Sequence, residues 1–280
     1  MTSIRIFLVI LFLSIRSFGA DVGYTRSQTS SSNSNKVQAS YAIDKQNKIS
    51  LSAGLSKDTS GTVDDDKSSS FKIGYRYKTK ASSTYAIDLK KSDESYNYEG
   101  QGLALKTSFK AYTRKISKTK NLNTKVSLKG EFQQKVYSLD KLEKLSSRAI
   151  TIGADHDLTS NFVLGLDYTN YSYSSSSTST KQALNDATIT TTDISSYISN
   201  LVKDTASGYI EYSEDAWSLG LSYSLDRPYL DSGSKSNTTE IYTDIQLDDQ
   251  WSINLSWSRG KTDGSTTNSD TTSYGFLYSF

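Results

Sequence analysis

Apolar and polar residues alternate along most of this chain with a period of two. Trp217, Leu219 and Leu221 share one parity, for example, and serine or glycine occupies the positions between them. Because successive side chains of a β-strand point to opposite faces, this alternation predicts strands with one apolar face. Thirteen such runs lie at residues 37–43, 49–55, 71–77, 85–89, 103–111, 122–132, 150–154, 162–168, 210–212, 217–225, 241–247, 251–257 and 274–280.

The segments between these runs alternate between short and long. The short polar ones are 44–48, 79–83, 115–121, 157–161, 213–216 and 248–250. The longer ones are 57–69, 91–101, 135–147, 174–206, 226–238 and 259–271. This order is typical of an antiparallel barrel that crosses a membrane with short periplasmic turns and longer external loops.

An even number of strands requires one more strand before residue 37. Residues 21–28 are the available segment, and 29–35 would form the external loop that follows it. The sequence therefore predicts an all-β fold, a transmembrane antiparallel up-and-down β-barrel of about 14 strands. Twelve strands remain the alternative if the segment 21–28 is not paired.

Composition is consistent with a barrel that has a wet interior. Only 35% of residues are hydrophobic, and 20 tyrosines outnumber 9 phenylalanines. A barrel with a water-facing inner wall needs apolar side chains on one face alone. The chain has no cysteine and a single proline, so a disulfide framework is excluded and the predicted strands contain no ladder-breaking residue.

The first residues have the pattern of an export signal. Arg5 precedes an apolar stretch at 6–15, which is too short to span a bilayer as a helix. Small residues at 17 and 19 suit a cleavage site, so we expect a signal peptide over 1–19, with cleavage after Gly19 or Ala20, and a barrel over 20–280. Arg5 and Arg16 account for the whole formal net charge of +2, and a nucleic-acid partner is not expected.

The chain ends on a pattern that points to a class of proteins. Gly275, Phe276, Tyr278 and the terminal Phe280 alternate with other residues in the last strand. This ending resembles the C-terminal signal of bacterial outer-membrane β-barrels, and the size and strand count resemble those of small monomeric porins. The resemblance implies the outer membrane of a Gram-negative bacterium. The implied partners are outer-membrane lipid, lipopolysaccharide and the barrel-assembly machinery.

Charged residues between the apolar stripes are expected to face the lumen. Early strands supply mostly cations at these positions, and later strands supply carboxylates. The predicted pore-lining residues are Lys72, Arg76, Lys90, Lys106, Lys110, Arg114, Lys125, Lys129, Asp167, Glu211 and Asp244. Walls of opposite sign create a field across a water-filled passage. We expect a porin-like channel for passive diffusion of small hydrophilic solutes, with a mild preference for anions. The alternative is a structural or surface-interaction barrel with a filled lumen and functional external loops.

The segment 174–206 begins with a Ser/Thr tract and continues with apolar residues at helical spacing. Ile194, Tyr197, Ile198 and Leu201 would share one face of a short helix. Such a helix would either fold into the barrel mouth and constrict it, or cover the rim and contact a neighbour.

No enzymatic activity, cofactor or metal is expected from the sequence. His156 is the one histidine, and it adjoins the predicted short turn 157–161. A serine hydrolase or a typical catalytic zinc site needs histidine in its working geometry. The alternation of His156 with Ile150, Ile152 and Ala154 instead predicts an interfacial position at the periplasmic end.

Overall fold

The computed structural model is a closed antiparallel barrel of 14 strands. It describes residues 19–30, 32–58, 67–100, 103–123, 125–139, 142–175, 181, 201–230 and 234–280; for 94–100, 103–109, 137–139 and 142–144 it describes the backbone alone. The strands are β1 Ala20–Thr29, β2 Ser32–Ala42, β3 Asn47–Asp58, β4 Lys67–Lys78, β5 Ser83–Gly100, β6 Leu103–Asn121, β7 Val126–Leu139, β8 Leu142–Asp157, β9 Phe162–Ser175, β10 Val202–Ser213, β11 Trp217–Pro228, β12 Ser236–Gln246, β13 Trp251–Thr262 and β14 Ser269–Ser279.

This architecture confirms the predicted fold class and the larger strand count. The weak segment 21–28 is paired along its length, with β14 on one side and β2 on the other, which excludes the 12-stranded alternative. In a sheet that closes on itself every strand has two neighbours, so no edge is left with unpaired backbone groups. Within the described ranges, no helix is long and apolar enough to span a bilayer.

The outer face of the barrel is apolar and uncovered. The large aliphatic residues Ile150, Ile152 and Leu166 expose 60%, 63% and 61% of their surface. Uncovered apolar surface on this scale is unusual for a soluble domain and suits contact with lipid. The proline falls where a strand tolerates it, because Pro228 is the last residue of β11 rather than part of the predicted loop.

Short turns close one end of the barrel, and side-chain oxygens hold several of them. The Asp44 carboxylate accepts hydrogen bonds from the amides of Gln46 and Asn47 at 2.7 and 2.8 Å. The backbone hydrogen bond from Gln46 and the side chain of Asn47 lower the pKa of the Asp44 carboxyl. Asn123 and Asp248 accept equivalent bonds in their own turns, which is the usual role of Asx residues.

The start of β1 and the end of β14 lie at this same end. The Phe280 amide donates to the Ala20 carbonyl at 2.8 Å, and the Ser279 amide donates to Gln250 in the last short turn. In bacterial outer-membrane barrels the short turns are periplasmic, and we call this end, which the sequence analysis predicts to be periplasmic, the periplasmic end.

The external end differs from the sequence prediction. Residues 91–101 and 135–147 were expected to form loops. Instead, β5 continues to Gly100 and β6 begins at Leu103. In the same way, β7 continues to Leu139 and β8 begins at Leu142. The predicted loop 29–35 is also mostly strand, because β1 ends at Thr29 and β2 begins at Ser32. A strand needs only about 9–11 residues to cross a bilayer, so these hairpins extend beyond it.

Strand β6 is the element in which the sequence prediction differs most from the structure. Residues 115–121 were expected to be a turn, yet β6 runs without interruption to Asn121 and the turn follows it. Ile116 pairs with Ile87 and Phe132 on the outer face, which fixes the parity of the whole strand. The apolar residues of the run 103–111 therefore have the inner-facing parity. Lys106, Lys110 and Arg114 have the opposite parity, which faces outward.

Candidate lumenal site

The inner face is recognised by the residues that alternate with the exposed apolar stripe. They line a cavity of about 550 Å³ against strands β1 to β7. Lys36, Lys72, Arg76 and Lys115 contribute cations to this cavity, and Asp88 and Glu131 contribute carboxylates. Serine and threonine side chains occupy much of the remaining wall, so the cavity is mainly polar, although Leu51 and Leu277 also line it.

The cations of β2 to β7 form an arc on the inner face, which we call the basic arc. It comprises Lys36, Lys48, Lys72, Arg76, Lys78, Lys90, Lys115, Lys129 and Lys135. Lys72 and Lys90 are direct cross-strand partners, and Lys36 on β2 is close enough to interact electrostatically with both. Like charges at such positions repel one another and are destabilising unless a counter-charge is present.

Some members of the basic arc have a carboxylate partner within the wall. Lys72 pairs with Asp88 at 2.9 Å, and Lys115 pairs with Glu131 at 2.6 Å. Lys48 reaches from β3 to Asp21 on β1 at 2.8 Å. Among the described residues, no carboxylate lies within ion-pair distance of Lys36, Arg76 or Lys90. These three cations are available to an anion in the lumen.

The opposite wall carries the carboxylates. Asp155, Asp167, Glu211, Asp226, Glu240 and Asp244 lie on the inner faces of β8 to β12, and we call them the acidic arc. The described inner-face side chains of β8, β9 and β11 to β14 include no lysine or arginine. The lumen thus has two walls of opposite sign.

Three pairs of polar side chains meet across a glycine on the strand between them. Lys129 and Asp167 approach to 3.6 Å over Gly153 of β8. The Tyr209 hydroxyl donates to Asp155 at 2.8 Å over Gly165 of β9. In the third pair, the Tyr242 hydroxyl donates to Glu211 at 2.9 Å over Gly220 of β11. We call these three the glycine-bridged pairs.

The glycine in each pair is a steric requirement. A Cβ placed at Gly165 would overlap the ring of Tyr209, and one at Gly220 would overlap the ring of Tyr242. At Gly153 the overlap would be with the carboxylate of Asp167. The glycines let these side chains lie flat against the wall, so Asp155, Asp167 and Glu211 are held there rather than extended into the lumen.

The structure places most of the predicted pore-lining residues on the inner face. Those positions are Lys72, Arg76, Lys90, Lys129, Asp167, Glu211 and Asp244. Their part in conduction stays a prediction.

Four predicted pore-lining positions are not supported. Lys110 pairs with Asp93 and Arg114 pairs with Leu89 on the outer face, because β6 has the parity set by Ile116. Lys106 has the same parity, and its side chain lies outside the described residues. Lys125 is an exposed residue of the periplasmic turn before β7, not of a strand.

Several residues of the inner face were not predicted from the sequence. Lys36 and Lys48 alternate with outward stripes that were recognised, so parity alone was sufficient to find them. Lys115 was missed because it was assigned to a turn. Tyr209 and Tyr242 were missed because tyrosine elsewhere belongs to the outward stripe, and nothing local distinguishes an inward tyrosine.

The predicted constriction helix falls mostly where the structure gives no description. Ile194, Tyr197 and Ile198 lie outside the described residues. Leu201 is buried directly before β10, and its carbonyl accepts a hydrogen bond from Tyr229 at 2.8 Å. The Tyr229 ring packs edge-on against inward-facing Tyr173 at 5.0 Å. These contacts hold the start of β10 at the external mouth.

His156 lies on the outer parity of β8, paired with Val126 next to the periplasmic turn. Among the described residues, no three His, Cys, Asp or Glu side chains are grouped to hold a metal ion.

Comparison with known proteins finds the same fold in solved structures. No family model matches the chain, and no curated protein is similar to it in sequence. The CymD monoaromatic hydrocarbon channel aligns over 94% of this chain and 89% of its own, with 8% identity and a TM-score of 0.61. The toluene transporter TodX of Pseudomonas putida aligns over the same shares, with 12% identity and a TM-score of 0.53.

The KdgM porin aligns over 93% of this chain and 99% of its own at a TM-score of 0.45, which is too low to carry an argument. The chain therefore shares the closed β-barrel fold of CymD and TodX, and its uncovered apolar outer belt suits contact with lipid.

Proposed function

We propose that the barrel is a channel for passive diffusion of small hydrophilic solutes, with a preference for small anions. The observation that carries this proposal is the cavity of about 550 Å³ on the basic arc. Lys36 and Arg76 line it without a described carboxylate partner. An anion entering the lumen would find cations that are not already neutralised, and a low-dielectric wall around water strengthens their field.

The acidic arc supports the same proposal from the opposite wall. Glu211 and Asp155 are fixed by the hydroxyls of Tyr242 and Tyr209, so their charge is stationary on the far side of the lumen. Fixed walls of opposite sign orient a polar solute and hold back solutes that have no charge separation. The charged lumen also argues against the hydrocarbon solutes named for CymD and TodX, which need an apolar path.

The proposal includes the absence of enzymatic chemistry. His156 lies on the outer face at the periplasmic end, away from the acidic arc that would otherwise supply carboxylates. The one histidine of the chain therefore does not face a lumenal solute.

Planar-bilayer recording tests the channel directly. Folded protein in membranes of neutral lipid should produce discrete conductance steps, and a salt gradient should drive the reversal potential toward that of the anion. A complete lack of steps over a broad range of voltage and pH would refute the channel, whereas steps with a cation-directed potential would refute only the anion preference.

We also propose that the C-terminal strand is recognised by the barrel-assembly machinery. Phe276 and Phe280 each expose 44% of their surface on the outer face, and Tyr278 packs edge-on against Phe280 at 4.5 Å. An aromatic residue at the end of the last strand that leaves 44% of its surface exposed suits recognition before insertion.

Replacing Phe280 with Ala should reduce the amount of folded barrel in cells several-fold while leaving the urea midpoint of refolded protein nearly unchanged. The heat-dependent mobility of the barrel on gels reports the first quantity. Tyr274→Ala removes an aromatic of the same face and strand as a control. Equal loss in both variants would mean that ordinary packing, not recognition, explains the ending.

The second candidate is a structural barrel with a filled lumen. It is favoured by the polar groups of the inner wall that already bind one another instead of a solute, namely the glycine-bridged pairs and the ion pair from Lys48 to Asp21. The conductance measurement separates the two candidates.

A further inference from the structure

The outer face of β6 and β8 carries arginines directly beyond an exposed apolar row, on the side away from the short turns. Arg114 on β6, Gln134 on β7 and Arg148 on β8 are consecutive cross-strand partners, and we call them the arginine row. Neighbouring strands lie about 4.8 Å apart, so the two arginine Cα atoms are separated by about 10 Å. Two long side chains of this spacing can converge on one group.

The next row toward the periplasm is apolar. Ile116, Phe132 and Ile150 are consecutive partners there and expose 55%, 42% and 60% of their surface. Counted from the short turns, the arginine row lies near the far end of the about 9–11 residues that a strand needs to cross a bilayer. The row therefore lies where the hydrocarbon of the outer leaflet meets its head groups.

These arginines have no partner of their own in the described part of the barrel. Elsewhere on the outer face, Arg227 pairs with Asp204 at 2.6 Å, and Arg259 makes two bonds with Asp270 at 2.7 and 2.9 Å. No described carboxylate lies within ion-pair distance of Arg114 or Arg148. The cost of an outward arginine falls from about 2–4 kcal/mol at the bilayer midplane to about 0–1 near its surface, so the position is tolerated, but its charge lacks an internal counterpart.

We propose that the arginine row binds a phosphorylated lipid of the outer leaflet, the class to which lipid A belongs. Its phosphate would accept paired hydrogen bonds from the planar guanidinium groups, which match phosphate geometry. Gln134 lies between the arginines and supplies an amide donor. The acyl chains would run down the row of Ile116, Phe132 and Ile150. A charged row next to an apolar row on the side of the short turns fits one amphipathic molecule. It fits neither a soluble anion nor a hydrocarbon alone.

The first test uses unmodified full-length barrel refolded in detergent that contains no bacterial lipid. Diphosphorylated lipid A should raise the unfolding temperature by several degrees, and lipid A from which both phosphates have been removed should raise it much less. An equal increase from the two lipids would overturn the proposal, because the phosphate would then contribute nothing. This comparison does not depend on any variant folding.

The second test assigns the effect to the row. Arg114→Gln with Arg148→Gln should lower the affinity for diphosphorylated lipid A at least tenfold, and the two Arg→Lys changes should lower it less because charge is kept and the paired geometry is lost. Lys235→Gln with Lys261→Gln removes the same charge from the external end of another strand pair and should leave binding intact. Unchanged affinity in the arginine double variant would refute the site.

Native mass spectrometry separates lipid from protein as the occupant. A barrel that carries one or two lipid masses, lost in the arginine double variant, supports the proposal. A stable dimer that the same substitutions dissociate would show instead that the row is a contact between barrels, and would overturn it. Neither outcome depends on the channel activity, since the arginine row faces away from the lumen.

Discussion

Replacing Lys36, Arg76 and Lys90 together with glutamine should convert the barrel from anion preference toward cation preference. These cations line the basic arc and lack a described carboxylate partner, so their removal leaves no carboxylate stranded. A unit charge about 8 Å from an ion in water contributes about 0.5 kcal/mol before screening. After screening, three charges change the ratio of chloride to potassium permeability roughly three- to tenfold at 0.1 M salt.

The measurement is the reversal potential in a salt gradient, repeated at 1 M ionic strength, where screening should shrink the difference between the proteins. The matched control is Lys118, Lys120 and Lys261 changed to glutamine, which removes the same charge from the outer face. If the control shifts the potential as far as the lumenal variant does, net charge rather than the basic arc governs the permeating ions.

Gly165→Val should be the most disruptive single substitution on the inner wall. Its side chain would occupy the place of the Tyr209 ring, which must then swing into the lumen and release Asp155. Overpacking of this kind costs about 1–3 kcal/mol, and the lost hydrogen bond to a carboxylate adds about 1.5–3. We expect a clear fall in the free energy of unfolding, with smaller conductance in the barrels that still fold.

The control for this prediction is the same substitution on the outer face. A Cβ at Gly130 meets no atom within 4 Å, so Gly130→Val should be tolerated and fits the β-propensity of valine. Tyr209→Phe separates the two contributions, because it keeps the ring over Gly165 and loses only the hydrogen bond. Urea unfolding of all three variants gives the comparison, and equal midpoints for Gly165→Val and Gly130→Val would contradict the steric role of the glycine.

The strand count and the positions of most short turns could be predicted because both follow from short-range rules. A residue and its second neighbour share a face in any strand, so the apolar stripes of β11 and β13 were unambiguous. Short polar turns such as that of Asp44 are likewise local, because the turn is held by hydrogen bonds over two or three residues.

The face of β6 was not predictable in this way. Both parities of residues 103–121 contain apolar side chains, with Leu105 on one and Ile116 on the other. Parity was decided by pairing, because Ile116 lies between Ile87 and Phe132 on the neighbouring strands. The same pairing moved Arg114 from the predicted pore to the lipid face, where it suggests a different ligand.

By itself, the amino-acid sequence determined that this chain forms a closed β-barrel with one apolar face and that cations precede carboxylates along it. These properties depend on the order of residue types, which periodicity translates directly into faces. The tertiary structure alone decided which side chains meet, since Lys129 and Asp167, or Tyr209 and Asp155, lie far apart in sequence and touch across a third strand. Such contacts depend on the register between strands, and register is a property of the assembled sheet rather than of any one segment.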